Sequence, residues 1–326
     1  MRRLQALICV CLAIFAVSAG AQEKKSEPQA DLQEQAQTPD QQPEPAAGFE
    51  RYPRLEVGRP LLLPPHTFEV RAFISYLATQ NGFDNDGKSK SLPSDYDLFS
   101  ADLGLGWAPF KWIEIGGTAP FFSGREVYAE GQNLGDLSAY GLFRLFQSQD
   151  RNKELAAQLR ISFPTGVSNR MLTIKDKQFV PENLTTGDPS VDFFPGLQAR
   201  WTIDRFAIRG FAEYGFRAAG KINYGIEGLD EIRDFAPGAS FLADADFLYQ
   251  LNSRFVLIGS LNYYQQAANE LSNKSLDDAQ EALTLIPGIQ FQLDHDYDLF
   301  LNAGIPISGR NYPDGFPVSG GLEGRF

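Results

Sequence analysis

Acidic and basic side chains recur along this sequence at alternate positions, set between apolar neighbours. Glu69 and Arg71 form the first pair, and Arg209, Glu213 and Arg217 the longest run. Asp102, Glu114, Arg144 and Arg160 stand in the same surroundings, as do Asp192, Arg200 and Asp244. Residues two apart share one face of a strand, so each charged group falls opposite an apolar face. A face of mixed sign fits two chemistries. One is a water-filled lining along which a solute moves. The other is a network of ion pairs that fills and stiffens an interior. Pairing is expected in both, because a charge buried alone is costly. An arginine-only track would suit anionic sugars, and the intervening carboxylates argue against that. A second set of inward positions is apolar: Phe194, Phe211 and Leu242, then Leu248, Val256 and Ile258. It reads equally as a path for hydrophobic solutes or as packing.

The residues that would support catalysis are sparse. Nucleophilic chemistry needs a serine or similar group, a base, and a third group that holds the base. The chain has 2 histidines, His66 before the first strand and His295 in a short turn, and no G-x-S-x-G elbow. It is therefore read as a non-enzyme. Asp84–Asn85–Asp86–Gly87 resembles part of a calcium loop, but Leu92 and Pro93 stand where the closing Glu is needed. Neither a phosphate-cradling glycine loop nor a Cys/His cluster occurs, so neither metal nor cofactor is expected.

The elements that carry the charges follow one template. From Thr67 to Phe326, segments of roughly ten residues alternate apolar with polar or small, as strands do when one face meets lipid. Phe68, Val70, Ala72, Ile74 and Tyr76 oppose Glu69, Arg71 and Ser75; Leu155, Ala157, Leu159 and Ile161 oppose Glu154, Gln158 and Arg160. A helical period fits neither. About twelve such segments are readable, an even number as single-chain barrels require. The connections alternate between short ones, such as Pro109–Lys111 and Thr202–Arg205, and long ones, such as Thr79–Tyr96 and Pro164–Pro189. Trp107, Trp112 and Trp201 sit beside short turns, while Tyr76, Phe121, Phe163 and Tyr214 stand at the opposite strand ends. Two aromatic bands are what the two membrane interfaces favour. The fold class expected is all-β: a transmembrane antiparallel up-and-down β-barrel of about twelve strands with a disordered N-terminal tail, the short turns facing the periplasm.

The start of the chain agrees. Arg2 and Arg3, the apolar run Leu4–Val17 and the small residues Ala19–Gly20–Ala21 read as a secretory signal peptide over residues 1–21. Residues 22–50, rich in Gln, Pro and Glu, read as a disordered periplasmic tail, and 51–326 as the barrel. Both cysteines, Cys9 and Cys11, fall in the leader, so the remainder has no disulfide. Without Arg2 and Arg3 the net charge of −12 becomes −14, which argues against nucleic acid as a partner. Membrane lipid and lipopolysaccharide, the outer-membrane assembly machinery and a small-molecule solute are the partners expected. Phe326 closes an alternating strand and resembles the terminal aromatic that this machinery reads.

Four short phrases carry a resemblance. Gly135–Asp136–Leu137 opens a strand and Phe163–Pro164–Thr165–Gly166 ends one. Gly187–Asp188–Pro189–Ser190 precedes the next, and Ile305–Pro306–Ile307–Ser308–Gly309 precedes the last. The chain after residue 50 resembles the outer-membrane family named for a meta-pathway of phenol degradation, whose members are transporter-like. The resemblance implies uptake of small apolar or aromatic compounds and carries no functional residue across. The expectation is an outer-membrane channel for passive uptake of small solutes. The alternative is a non-conducting barrel whose loops or tail bind partners.

Overall fold

Alternation of apolar and polar residues is resolved in space by twelve strands, each with one face turned outward and one inward. They are β1 (Phe68–Phe83), β2 (Ser89–Phe110), β3 (Ile113–Glu126), β4 (Leu137–Gln147), β5 (Lys153–Phe163) and β6 (Asp192–Ile203). The second half comprises β7 (Phe206–Gly215), β8 (Ser240–Gln250), β9 (Phe255–Gln266), β10 (Gln280–Gln292), β11 (Tyr297–Ala303) and β12 (Val318–Arg325). The computed structural model describes residues 56–126, 129–175, 178–181, 184–226, 231–294 and 296–326. The expected leader at 1–21, the expected tail at 22–50 and His295 lie outside them.

Each strand pairs antiparallel with its chain neighbours, and β12 returns to β1 in register from Glu69↔Arg325 to Tyr76↔Val318. The ring is therefore closed. β11 bends at Gly304 and continues as Ile305–Arg310, still paired with β10. A closed ring leaves no strand edge unpaired, which is the condition for placing a sheet in hydrocarbon. The burial pattern is inverted relative to a water-soluble barrel. Ile74 and Leu105 on the outer face are each 56% exposed, whereas Glu154 and Gln290 on the inner face are 2% and 0% exposed. Aromatic pairs mark both rims. Phe68 stacks on Trp107 at 5.7 Å, and Tyr297 meets Phe326 edge-on at 5.7 Å, at the short-turn end. Tyr214–Phe216 at 4.9 Å stands at the other.

The long connections differ from expectation. Residues 79–96, read from their polar composition as a loop, are mostly strand: β1 and β2 stay paired up to Phe83↔Ser89, with a bulge between Thr79 and Asn81. Likewise Ala129–Leu134 folds back on β3. Further strands within the long connections build a second sheet. It joins Gly220–Ile226 to Arg170–Lys175 in a parallel pair and has its own apolar cluster of Ile222, Phe235 and Leu271. An antiparallel ladder, once started, satisfies backbone groups outside the membrane as well as within it, and this outweighs the weak strand preference of Asn, Asp and Lys.

The β1–β2 tip explains the calcium-like phrase. Asp84 Oδ1 accepts the amides of Asp86 and Lys88, each at 2.9 Å, its Oδ2 pairs with Lys90, and Gly87 takes φ 76°. The carboxylate thus caps a turn.

The other rim feature is a clasp. Asp136 Oδ1 accepts the Gly166 amide at 2.8 Å and Oδ2 the Asp188 amide at 2.7 Å. Thr165 Oγ1 accepts the Leu137 amide at 2.8 Å and donates to the Gly135 carbonyl at 3.1 Å. A Cβ on Gly187 would lie 2.3 Å from Asp136 Oδ1, so only glycine brings this loop close enough.

Two predictions follow from these rims. The hydrogen bond from Lys90 holds the Asp84 carboxyl down at about 2. Protection of the Asp86 and Lys88 amides should then be complete above the ordinary aspartate pKa of ~4. It should fall only as pH drops through about 2, and be absent at all pH in Asp84→Ala, as read by amide exchange. Asp136→Asn replaces one acceptor with a donor facing a backbone N–H. It should cost about 1–3 kcal/mol, seen as a lower urea midpoint and faster proteolysis of the 164–190 connection.

Candidate functional site

A ring of twelve strands is wider than its own side chains fill, since eight is the number at which they just do. The chain ahead of β1 occupies part of that space. Pro60, Pro64 and Pro65 keep the stretch from Glu56 to Pro65 out of the sheet, so its backbone groups need other partners. They find them on inward side chains. The Leu61 amide donates to Glu154 Oε2 at 2.7 Å and the Leu63 amide to Glu114 Oε2 at 2.8 Å. The Val57 carbonyl accepts from Arg200 at 3.1 Å and from Thr202 at 3.3 Å. Arg59 lies between Asp298 and Glu323. Val57 packs on Ala207, Leu248 and Val256, and Leu62 on Leu142 and Ala156. These partners belong to β4–β9, and with the Glu114 and Arg59 contacts the segment touches most of the ring at its short-turn end.

Beyond the segment lies a cavity of about 400 Å³, with Arg59, Pro60, Leu61 and Leu63 on its floor. On one wall Arg71 bonds Glu69 at 3.1 Å and the Tyr140 hydroxyl at 3.2 Å, and that hydroxyl donates to Glu114 at 3.1 Å. A Cβ at Gly116 would sit 2.4 Å from Tyr140 Cζ, so the bare glycine makes room for the ring. On the opposite wall Arg160 pairs with Glu213 at 2.5 Å and lies over the Phe194 ring at 3.8 Å. Gln198 donates to Gln158 at 2.6 Å. Arg209 and Asp246 are ladder partners between β7 and β8, and Phe211 stands beside them. Arg325 reaches Glu69 at 2.9 Å and Asp298 at 3.3 Å.

The charged positions named from the sequence thus separate into levels. Glu69, Arg71, Glu114, Arg160 and Arg209 line the cavity, with Glu213 behind Arg160. Arg200 and Arg144 belong to the floor: both approach Glu154, at 3.2 and 3.8 Å. Asp192 and Arg217 lie 3.4 Å apart at the long-connection rim, where Arg217 also holds Asp188. Asp244 accepts from Asn262 at 2.5 Å, and Asp102 faces the wider lumen, opposite Phe73 and Pro120 in the ladders. The apolar inward positions do not form one path. Leu248, Val256 and Ile258 pack around Val57, Phe194 lies under Arg160, Leu242 sits opposite Glu213 and Tyr264, and Phe211 faces the cavity.

Sequence reasoning missed Arg59, Leu62 and Asp298. Leu61–Leu62–Leu63 gave a signal: three consecutive leucines between prolines, where a solvated lead-in would be polar.

An outer membrane channel from Pseudomonas putida F1 shares the fold: TM-score 0.65, 16% identity, covering 81% of this chain and 97% of that one. Two others are less similar. The TodX deltaS2S3 mutant monoaromatic hydrocarbon channel gives TM-score 0.42 and 11% identity over 84% of this chain and 92% of its own. The translocator domain of autotransporter NalP from Neisseria meningitidis gives 0.45 and 9% over 81% and 90%. No curated protein matches the sequence. The clasp at the long-connection rim is built from three of the phrases on which the family resemblance rests, and a family model matches residues 93–319, so the chain belongs to the family described as "Putative MetA-pathway of phenol degradation".

Proposed function

We propose that this outer-membrane barrel is a passive uptake channel for small solutes, narrowed at its periplasmic mouth by residues 57–66, and that it performs no catalysis. The observation that supports this best is the cavity of about 400 Å³ enclosed by the closed ring and lined by ion pairs. A polar interior behind an apolar outer face is the arrangement that lets polar solutes cross hydrocarbon. The short turns face the periplasm, together with the tail at 22–50 that follows a cleaved leader at 1–21. Lipid and lipopolysaccharide meet the outer face, and Phe326 serves the assembly machinery. The charged lumen positions, from Glu69 and Arg71 to Asp244, form the solute's route.

A second reading has an observation of its own. The segment is held by two carboxylates, an arginine pair and two apolar contacts, as a permanent plug would be. There the barrel would serve partners through its outer sheet.

Planar-bilayer conductance separates them. The refolded protein should give reproducible steps, and Glu114→Ala/Glu154→Ala should give steps about two-fold larger or more, since the segment loses its charge-assisted bonds. Heat-modifiable mobility checks that the variant barrel is closed. Unchanged steps would remove the segment from the conduction path, and silence in both proteins would favour the plugged barrel.

A further inference from the structure

Most of the charges around the cavity are already engaged within the protein. Five arginines and four carboxylates line it, and Glu213 and Asp298 stand directly behind. Arg71 holds Glu69, Arg160 holds Glu213, and Arg325 holds Glu69 and Asp298; Arg209 is also engaged within the protein. Glu114 is taken by the Leu63 amide and Tyr140. Resting on the channel reading, we propose that this cavity selects a neutral, hydroxyl-rich solute of monosaccharide size.

Charge balance, desolvation and hydrogen-bond complementarity each favour such a solute. The first is sign. Nearly equal numbers of opposite charges give an entering ion no net attraction, and binding it requires an existing pair to break, which strands a charge in a water-poor interior. The second is desolvation. An apolar aromatic solute, which the family's name would suggest, covers arginines, glutamines and carboxylates without giving them hydrogen bonds, and that is unfavourable. The third is complementarity. A guanidinium has five N–H donors and a carboxylate about four lone-pair sites, more than one mutual pair uses, and Glu69 and Arg71 line the cavity side by side. A hydroxyl both donates and accepts, so adjacent hydroxyls can bridge such a pair without separating it. Phe211 adds one flat apolar surface beside Arg209 and Asp246, which suits the C–H face of a sugar ring. The volume, about 400 Å³, lies at the small end of the ~300–1,000 Å³ that small-molecule sites occupy.

The test uses the full refolded chain and probes that differ in charge on one ring: glucose, galacturonate and glucosamine, with phenol as the apolar probe. Each is titrated against the potassium chloride current in planar bilayers. Contact with the detergent-solubilised barrel is measured separately by saturation-transfer NMR. Glucose should reduce the current and show saturation transfer at concentrations where the other three do neither. Phe211→Leu should weaken the glucose effect roughly ten-fold, measured against the variant's own salt current. Phe211→Tyr, which keeps the flat ring, should restore it. Stronger block by galacturonate, glucosamine or phenol would overturn the proposal in favour of an anion, cation or apolar site. The NMR readout does not depend on conduction. Glucose contact in a silent barrel would keep the site and sink the channel, and absence of contact in a conducting barrel would sink the site and keep the channel.

Discussion

Backbone pairing across the β1–β12 seam is the constraint on which everything else in this molecule rests. In hydrocarbon an N–H or C=O without a partner costs several kcal/mol, so an open twelve-strand sheet would carry that penalty along both edges. The seam runs over eight residue pairs, from Glu69↔Arg325 to Tyr76↔Val318, and is completed by mutual bonds between Phe68 and Phe326 at 2.8 and 2.9 Å. The terminal phenylalanine therefore has a structural duty in the last rung, beside its packing on Tyr297.

Closure at twelve strands fixes an interior too large for side chains alone and too narrow to remain simply water-filled near the wall. Both consequences are visible. At the short-turn end the volume is taken by the Glu56–Thr67 segment, whose amides need acceptors and find them on Glu114 and Glu154. Glu154 also receives Arg200 and Gln147, so one carboxylate joins the segment to three strands. Higher in the lumen the arginines and carboxylates pair along the wall instead, within one strand or between strands at most two apart. Gly116 shows the same trade-off in reverse: the wall gives up a side chain so that Tyr140 can link Arg71 to Glu114.

Much of this was legible in the sequence because one physical rule, alternation between lipid and lumen, acts on almost every strand residue. The strand count, the inward position of the charged groups and the two aromatic bands all follow from that period. What was not legible has no period. The 57–66 stretch is ordered by contacts up to 264 residues away, such as Arg59 with Glu323, and nothing local announces them. The outer hairpins were hidden for another reason. Their Asn, Asp, Lys and Ser residues are typical of solvated loops, and the ladder continues through them because pairing beyond the membrane still satisfies the backbone. The apolar inward residues illustrate a third limit. Phe211 and Leu248 are both apolar and both inward on their strands, yet one faces the cavity and the other is covered by Val57.

The arrangement of anchors also decides where this barrel can change shape. At the long-connection rim, Asp136, Thr165 and the Asp188–Arg217–Asp192 group tie four strand ends together. Backbone groups there are held by several bonds at once, so that end behaves as one body. At the opposite end the segment meets a strand by backbone bonds where it joins β1, through His66 and Thr67 against Ala108, and ahead of Pro64 it is held by inward side chains, with Val57 and Leu62 as its most buried apolar anchors. Side-chain contacts to a short stretch can be released a few at a time, whereas a ladder must be unzipped in order. Release of contacts is thus concentrated at the short-turn end, where Glu114, Glu154 and the Arg59 ion pairs set how firmly the segment is held.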